Sequence, residues 1–422
     1  MALAEPVSDR RRFAALGVLA ATLALVYGIW YSYGVIMVAL LAEFGWSRSL
    51  LAGAFSVFTL MHGIANPLVG WLCGRIDPPR LVAAGCVLLA VALAMDSLIE
   101  APWQLYLAFG VFTALALAAC GWVPALVQTQ RRFPERLGLA LGIVSSGVGV
   151  GMLLIVPLCQ LLIESFGWRW AFRVLALVVL TWTLPAALYL MRTAPQQPKP
   201  KSPAVTPRAA PDSAVAASSP QRAPTLSAAA RTLPFWLIVA AFFCGNVCAQ
   251  TLHVHQVPYL VDQGMAAMVA ASVVSVVGAF SIVAKIAGGW ISDLIDREIV
   301  YVCGIAVMLA AVGALALLGA WPSRWGAYGY AVLLGIGYSV TASITPAMAA
   351  DRFSGPSFGA IVGIGLLASA GGSALGPWLA GWLFDATGSY RWALGMTALC
   401  ALCAAAAGWM LRRLRLRARA DA

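Results

Sequence analysis

Residues Ser272–Asp293 read SVVSVVGAFSIVAKIAGGWISD, an apolar run holding one cation, Lys285, and no acid before Asp293. Gly278, Ser281, Gly288, Gly289 and Ser292 lie at three- and four-residue steps from Lys285. One face of the resulting helix is therefore narrow and carries a positive charge. A lysine at the centre of a hydrocarbon span costs ~2.5–3.5 kcal/mol on insertion scales, so such residues ordinarily face a cavity and have a use. The bland alternative is that Lys285 snorkels to the interface, about two turns away at ~1.5 Å per residue. We read it as an anion-binding group.

Working outward, the chain has 422 residues, 62% of them hydrophobic and 10% charged. A soluble domain is roughly half apolar and a quarter charged, so this composition implies lipid as the main solvent. The net charge of +11 does not point to nucleic acid. Its arginines sit in short loops and tails between apolar runs, which is topology information rather than a binding groove. The nine cysteines are in or beside apolar runs, and neither Cys244/Cys248 nor Cys400/Cys403 has the His or carboxylate neighbours that zinc needs. No metal and no cofactor are expected. Arg10-Arg11-Arg12 before a long apolar run imitates a signal peptide, but the run exceeds an h-region and further runs follow. An uncleaved first helix is expected.

Apolar runs of about twenty residues mark spans. They fall at 13–41, 49–72, 80–98, 103–128, 137–162 and 170–192, then at 234–261, 267–291, 298–319, 325–349, 357–384 and 391–411. The fold class is thus an all-α membrane protein with twelve transmembrane helices. An even count puts both termini on one side. That side holds Arg75, Arg80, Arg131, Arg132, Arg136, Arg297, Arg352 and both basic ends, whereas the other holds Arg48, Arg169, Arg173, Arg324 and Arg391. The positive-inside rule makes the termini cytoplasmic. The expected location is the bacterial cytoplasmic (inner) membrane.

The two halves repeat. RRFPERLGLALGIVSSGVGVG (Arg131–Gly151) matches DRFSGPSFGAIVGIGLLASAGG (Asp351–Gly372), FGWRWAF (Phe166–Phe172) matches TGSYRWAL (Thr387–Leu394), and GWLCGRID (Gly70–Asp77) matches GGWISDLID (Gly288–Asp296). The segment between them is rich in Pro, Ala and Ser and cannot bury apolar area, so it reads as a flexible linker. The domains expected are a six-helix bundle over 1–192, a linker over 193–233, and a second six-helix bundle with a basic tail over 234–422. Two parallel six-span pseudo-repeats place a substrate site between them.

These repeats and loops resemble the major facilitator superfamily along the whole chain. Its loop motif G-x-x-x-D-x-x-G-R keeps Gly289 and Asp293 in the second copy. The first keeps Gly70 and Arg75 but has Gly74 where the acid belongs. The resemblance implies a gate latch that leans on Asp293 and Arg297. A narrower resemblance is to monocarboxylate-transporter-like proteins and the oxalate:formate antiporters beside them. It is carried by FGWSRSLLAGAFS (Phe44–Ser56), RRFPERLGLALGIVSSG (Arg131–Gly147) and HVHQVPYLVDQG (His253–Gly264). It implies that Lys285 stands where that branch has a carboxylate-binding cation, with Tyr31, Trp122 and Tyr338 as aromatic walls. Ala370 stands near where oxalate-type members carry a second cation, which argues for one carboxylate on the cargo.

The function expected is a secondary active transporter that moves a small organic anion, a monocarboxylate, by alternating access, as a monomer and not as an enzyme. A co-transported proton or an exchanged anion is the further partner, besides membrane lipid. His253 and His255 are the proton-coupling candidates, because imidazole changes charge near neutral pH. Both are also candidates for satisfied structural side chains. His62 with Asn66 is expected to tie helices together by hydrogen bonds, and the glycines around Gly147–Gly151 and Gly372–Gly381 to permit close helix contact. Two rivals stand beside this: an exporter of hydrophobic compounds of the drug-efflux type, suggested by GSALGP (Gly372–Pro377), and a non-transporting membrane sensor.

Overall fold

A computed structural model describes residues 9–133, 136–192, 226–353 and 358–420. Most of the expected linker, residues 193–225, lies outside the described residues. Among those described, twelve helices are long and apolar enough to cross a membrane. In chain order they are α1 (Phe13–Phe44), α2 (Arg48–Arg75), α3 (Pro78–Asp96), α4 (Pro102–Arg132), α5 (Gly138–Phe166) and α6 (Trp168–Met191). Then come α7 (Leu233–Asp262), α8 (Ala267–Leu294), α9 (Arg297–Leu318), α10 (Arg324–Arg352), α11 (Ala360–Thr387) and α12 (Arg391–Arg417). Most outlast the apolar runs, because helix geometry continues into polar ends that a hydropathy count discards.

Helix pairing repeats between halves. The contacts α1–α5, α3–α6, α2–α4 and α3–α4 recur as α7–α11, α9–α12, α8–α10 and α9–α10. Small residues set these contacts. A Cβ on Gly147 would fall 2.1 Å from the Ala20 carbonyl oxygen, and one on Gly151 2.2 Å from that of Ala24, so α5 lies directly on α1. Gly372 and Gly376 do the same for α11 on α7, against the carbonyl oxygens of Phe243 and Val247 at 2.3 and 2.7 Å. Van der Waals contact between small residues is the main source of helix association in lipid, where no hydrophobic drive separates helix from solvent. The loops repeat as well. Arg132 donates to the carbonyl of Leu190 at the end of α6, and Arg352 to that of Leu411 near the end of α12.

The halves meet along α2–α11, α5–α8 and α1–α7. Gly149, two residues from Gly147, faces the other way: its Cβ would lie 2.6 Å from the Gly278 carbonyl oxygen on α8. Gly381 approaches the backbone of Arg48 equally closely. One glycine row on α5 thus serves two interfaces, one within a half and one between halves.

Two local features differ from expectation. His62 and Asn66 share a hydrogen bond of 3.3 Å within α2, and the link to α1 is the His62 ring set edge-on against Trp30 at 4.9 Å. Four residues apart on one helix, their side chains reach each other before they reach a neighbour. In addition, α4 is not uniform. Tyr106–Thr113 forms a π-helical stretch and the helix breaks at Gly121, which turns through φ −89° and ψ −138°.

Candidate functional site

Four residues from four helices meet at mid-span. Tyr31 on α1 and Tyr338 on α10 bring their hydroxyls to 3.3 Å across the two halves. The His253 ring on α7 stands edge-on to both, with centroids 4.9 Å from Tyr31 and 4.7 Å from Tyr338. Lys285 Nζ on α8 lies 5.8 Å from the centroid of the Tyr338 ring, which His253 also contacts. Among the described residues Lys285 has no carboxylate partner and donates no hydrogen bond. Among the described residues both ring nitrogens of His253 are buried without a partner, as is Oε1 of Gln250 one turn earlier on α7.

These placements follow from local sequence. Ser281, Ala284 and Gly288 form the buried face of α8 around Lys285, while Val283, Ile286 and Trp290 point outward. The small side chains let α5 and α10 approach, so the long lysine stem reaches past them toward the junction. Cation–π attraction to the Tyr338 face is worth ~0.5–2 kcal/mol. A carboxylate would supply more than that, so the ammonium remains available to an anion.

The other expected site residues are distributed differently. Trp122 packs beside the α1–α5 cluster that contains Leu19, Leu23 and Val144, and among the described residues makes no ring contact with the junction. His255 is fully engaged: its Nε2 donates to the Pro377 carbonyl at 2.8 Å, and its Nδ1 lies 3.0 Å from the Tyr390 hydroxyl. Two residues along a helix are about 200° apart, so His253 and His255 cannot share a face. In the loop motif, Arg297 pairs with Asp351 at 2.5 Å and stands 4.0 Å from Asp293, all within the second half. Arg75 lies over the Trp71 ring at 3.8 Å. Gly289 has open space where a Cβ would sit, and Gly70 only ordinary contact with Val123.

A cluster that sequence reasoning passed over joins the halves at the face opposite the chain ends. Asp385 on α11 accepts from the backbone N–H groups of Arg48 and Ser49 at 3.0 and 2.8 Å, capping α2 from the other half. The Arg48 guanidinium pairs with Asp262 at 2.8 Å, donates to the Tyr390 hydroxyl at 2.6 Å and lies 4.0 Å from the Phe384 ring centroid. Carboxylate at a helix N-terminus and a charge-assisted fork are both among the stronger polar contacts. The one available signal was Arg48 itself, a cation at a helix start on the cation-poor side. Toward the face with the chain ends, Gly74, Gly138, Gly142, Gly289 and Gly363 have no atom within 4 Å of a Cβ position. The halves are latched at the face opposite the chain ends. Two buried carboxylates lie apart from the junction. Asp96 accepts from Thr113 at 2.8 Å, and Glu298 is held by Arg352 and Arg415.

Among known proteins, the model of the Major Facilitator Superfamily matches residues 19–341 and 257–421. The chain is 26% identical to monocarboxylate transporter 12 of Mus musculus over 370 residues, covering 82% of this chain and 74% of that one. It is 29% identical to monocarboxylate transporter 11 of Homo sapiens over 397 residues, covering 87% and 75%. In fold it is similar to a bacterial homolog of the human lysosomal transporter Spinster, in an inward-facing and unoccupied conformation. The TM-score is 0.73 at 17% identity, covering 97% of this chain and 98% of that one.

Proposed function

Given that this chain belongs to the major facilitator superfamily and is an integral membrane transporter, we propose that it carries a small monocarboxylate between its two halves, with the carboxylate on Lys285. The observation that carries the reading is an ammonium at the inter-half junction with no counterion among the described residues. Removing such a cation's charge is costly unless an anion does it, and the anion's arrival lowers the cost of enclosing both. Tyr31 and Tyr338 then cover the apolar part of the cargo. The similarity to monocarboxylate transporters supports the same cargo class.

His253 is the proposed proton carrier. A second positive charge beside an unpaired lysine is unfavourable, so the imidazole stays neutral while the site is empty. A carboxylate on Lys285 cancels that repulsion, and a proton then enters with the anion. Loading thus couples one proton to one monocarboxylate. The basic residues on the face with the chain ends make it the cytoplasmic one, in a cytoplasmic membrane, by the positive-inside rule. The latched face is then external, and parting the latch is the step of alternating access that opens the site outward.

Uptake of labelled lactate into proteoliposomes tests this. A charged hydrogen bond is worth ~1.5–3 kcal/mol, so Lys285→Ala is expected to lower uptake about 10- to 100-fold with folding intact, while Lys285→Arg retains part of it. Full uptake by the alanine variant would refute the role of Lys285.

A further inference from the structure

A cavity among the described residues lies away from the junction. It measures ≈ 1000 Å³ and opens between α7, α9 and α12 at the latched face. On α9 it is lined by Leu309, Val312, Gly313, Ala316 and, just past the helix end, Ala320, a stripe at helical spacing. From Leu309 to the helix end at Leu318 it runs about 14 Å at ~1.5 Å per residue. Leu394, Gly395 and Ala398 of α12 form the facing wall. Gly313 and Gly395 have no packing reason to be glycine, since a Cβ on either would meet no atom within 4 Å. Their effect is to widen the crevice. Gly313, Ala316, Ala320 and Gly395 are exposed, so it opens out of the bundle.

The mouth is polar and the depth apolar. Arg391 lines the mouth, and among the described residues its guanidinium has no carboxylate partner. Asp262 shares the mouth, but its charge is already met by Arg48. Trp321 and Trp392, each next in sequence to a lining residue, expose their rings, as does Trp325. Exposed tryptophans collect at the membrane–water interface, which sets Arg391 at headgroup depth. Below it the trench runs about as far as one leaflet's share of a ~30 Å hydrocarbon core.

We infer that this crevice is a phospholipid site: one acyl chain lies along the α9 stripe, and an anionic headgroup phosphate pairs with Arg391. The length of the trench, the unpaired guanidinium at its mouth and its lateral opening suit a lipid of the leaflet opposite the chain ends. Asp262 and Tyr390 are at once walls of the crevice and members of the latch. A chain packed behind them favours the latched conformation, and by linkage, unlatching weakens lipid binding.

Native mass spectrometry of the full-length protein in mild detergent, titrated with phosphatidylglycerol, tests the site. One tightly retained lipid is expected. The double variant Gly313→Leu/Gly395→Leu is expected to lower the bound fraction at least about tenfold at unchanged melting temperature, and Arg391→Gln to lower it several-fold. Ala84→Leu, on the exposed face of α3 in the first half, leaves it unchanged. Photocrosslinking of the native protein with a diazirine-tailed phosphatidylglycerol is expected to label 309–320 and 394–398. This arm remains decisive if the double variant does not fold. Several outcomes overturn the proposal: wild-type retention in the double variant, crosslinks confined to other segments, binding of inorganic phosphate without lipid, or a second copy of the chain at the crevice. None of these readouts involves Lys285 or uptake, so failure here leaves the transport reading standing.

Discussion

A methyl group has nowhere to go at Gly147. Its Cβ would sit 2.1 Å from a backbone oxygen of α1, and backbone cannot swing aside as a side-chain tip can. Gly147→Ala is expected to destabilise the first half by about 1–3 kcal/mol, the usual cost of overpacking. Gly142→Ala, one helix turn and more away with open space at its Cβ, is expected to be neutral. Thermal unfolding in detergent compares the two. At the junction the decisive pair is His253 and His255. His253→Gln is expected to abolish proton-driven accumulation while anion counterflow persists, measured by uptake with and without an imposed pH gradient. His255→Gln, which keeps one donor for the Pro377 carbonyl, is expected to keep the coupling. Proton-driven accumulation at normal rates in His253→Gln would remove that residue from the mechanism.

Between elements, two clusters of charge do different work. The Arg48 side chain ties α2 to Asp262 on α7, Phe384 on α11 and Tyr390 at the start of α12, and its loss removes a charge-assisted network worth ~1.5–3 kcal/mol or more. Arg48→Ala is expected to raise thiol labelling at the latched face about 10- to 100-fold, as the population shifts toward opening there. Arg48→Lys keeps the charge but loses the fork, and should fall between the two. The second cluster secures the last turns of α12. Burial raises the Asp296 carboxyl, but the hydrogen bond from Arg412 and the charge of Arg415 outweigh it and hold it below the ordinary range. A depressed carboxyl stabilises above its unfolded pKa and loses that contribution as pH falls through the folded one. The α12 extension is therefore expected to keep its amide-exchange protection to below the usual aspartate range, and to lose it at neutral pH in Asp296→Asn. Hydrogen exchange over residues 412–417 reads both.

For the whole molecule, the interfaces between halves are built from small residues, while the strong polar contacts are gathered at one face. A glycine contact such as Gly149–Gly278 can act as a pivot, since it holds no side chains that must repack. Rocking about it parts the latch. Cysteines placed at Gly289 and Gly363 are expected to react with polar maleimides in the state described, and one at Gly53, packed against Tyr106 and Trp378, is not. A locked opposite-face-open form reverses the order.

What the chain's sequence determined by itself was the architecture. Lipid leaves no partner for an unpaired backbone amide, so spans must be continuous apolar helices, and such runs can be counted. The cost of charge in hydrocarbon likewise singled out Lys285 without coordinates. Its neighbours were another matter. Which of two histidines faces Tyr31 and Tyr338 depends on the rotation of α7, and periodicity leaves that rotation free because α7 is buried nearly all round. The latch joins Arg48 to residues 214 and 342 positions away, a distance over which no sequence pattern carries information. The lipid crevice is a gap between helices, a property of how three of them diverge rather than of any one. Tertiary structure decided these because packing, not composition, sets which groups a side chain can reach.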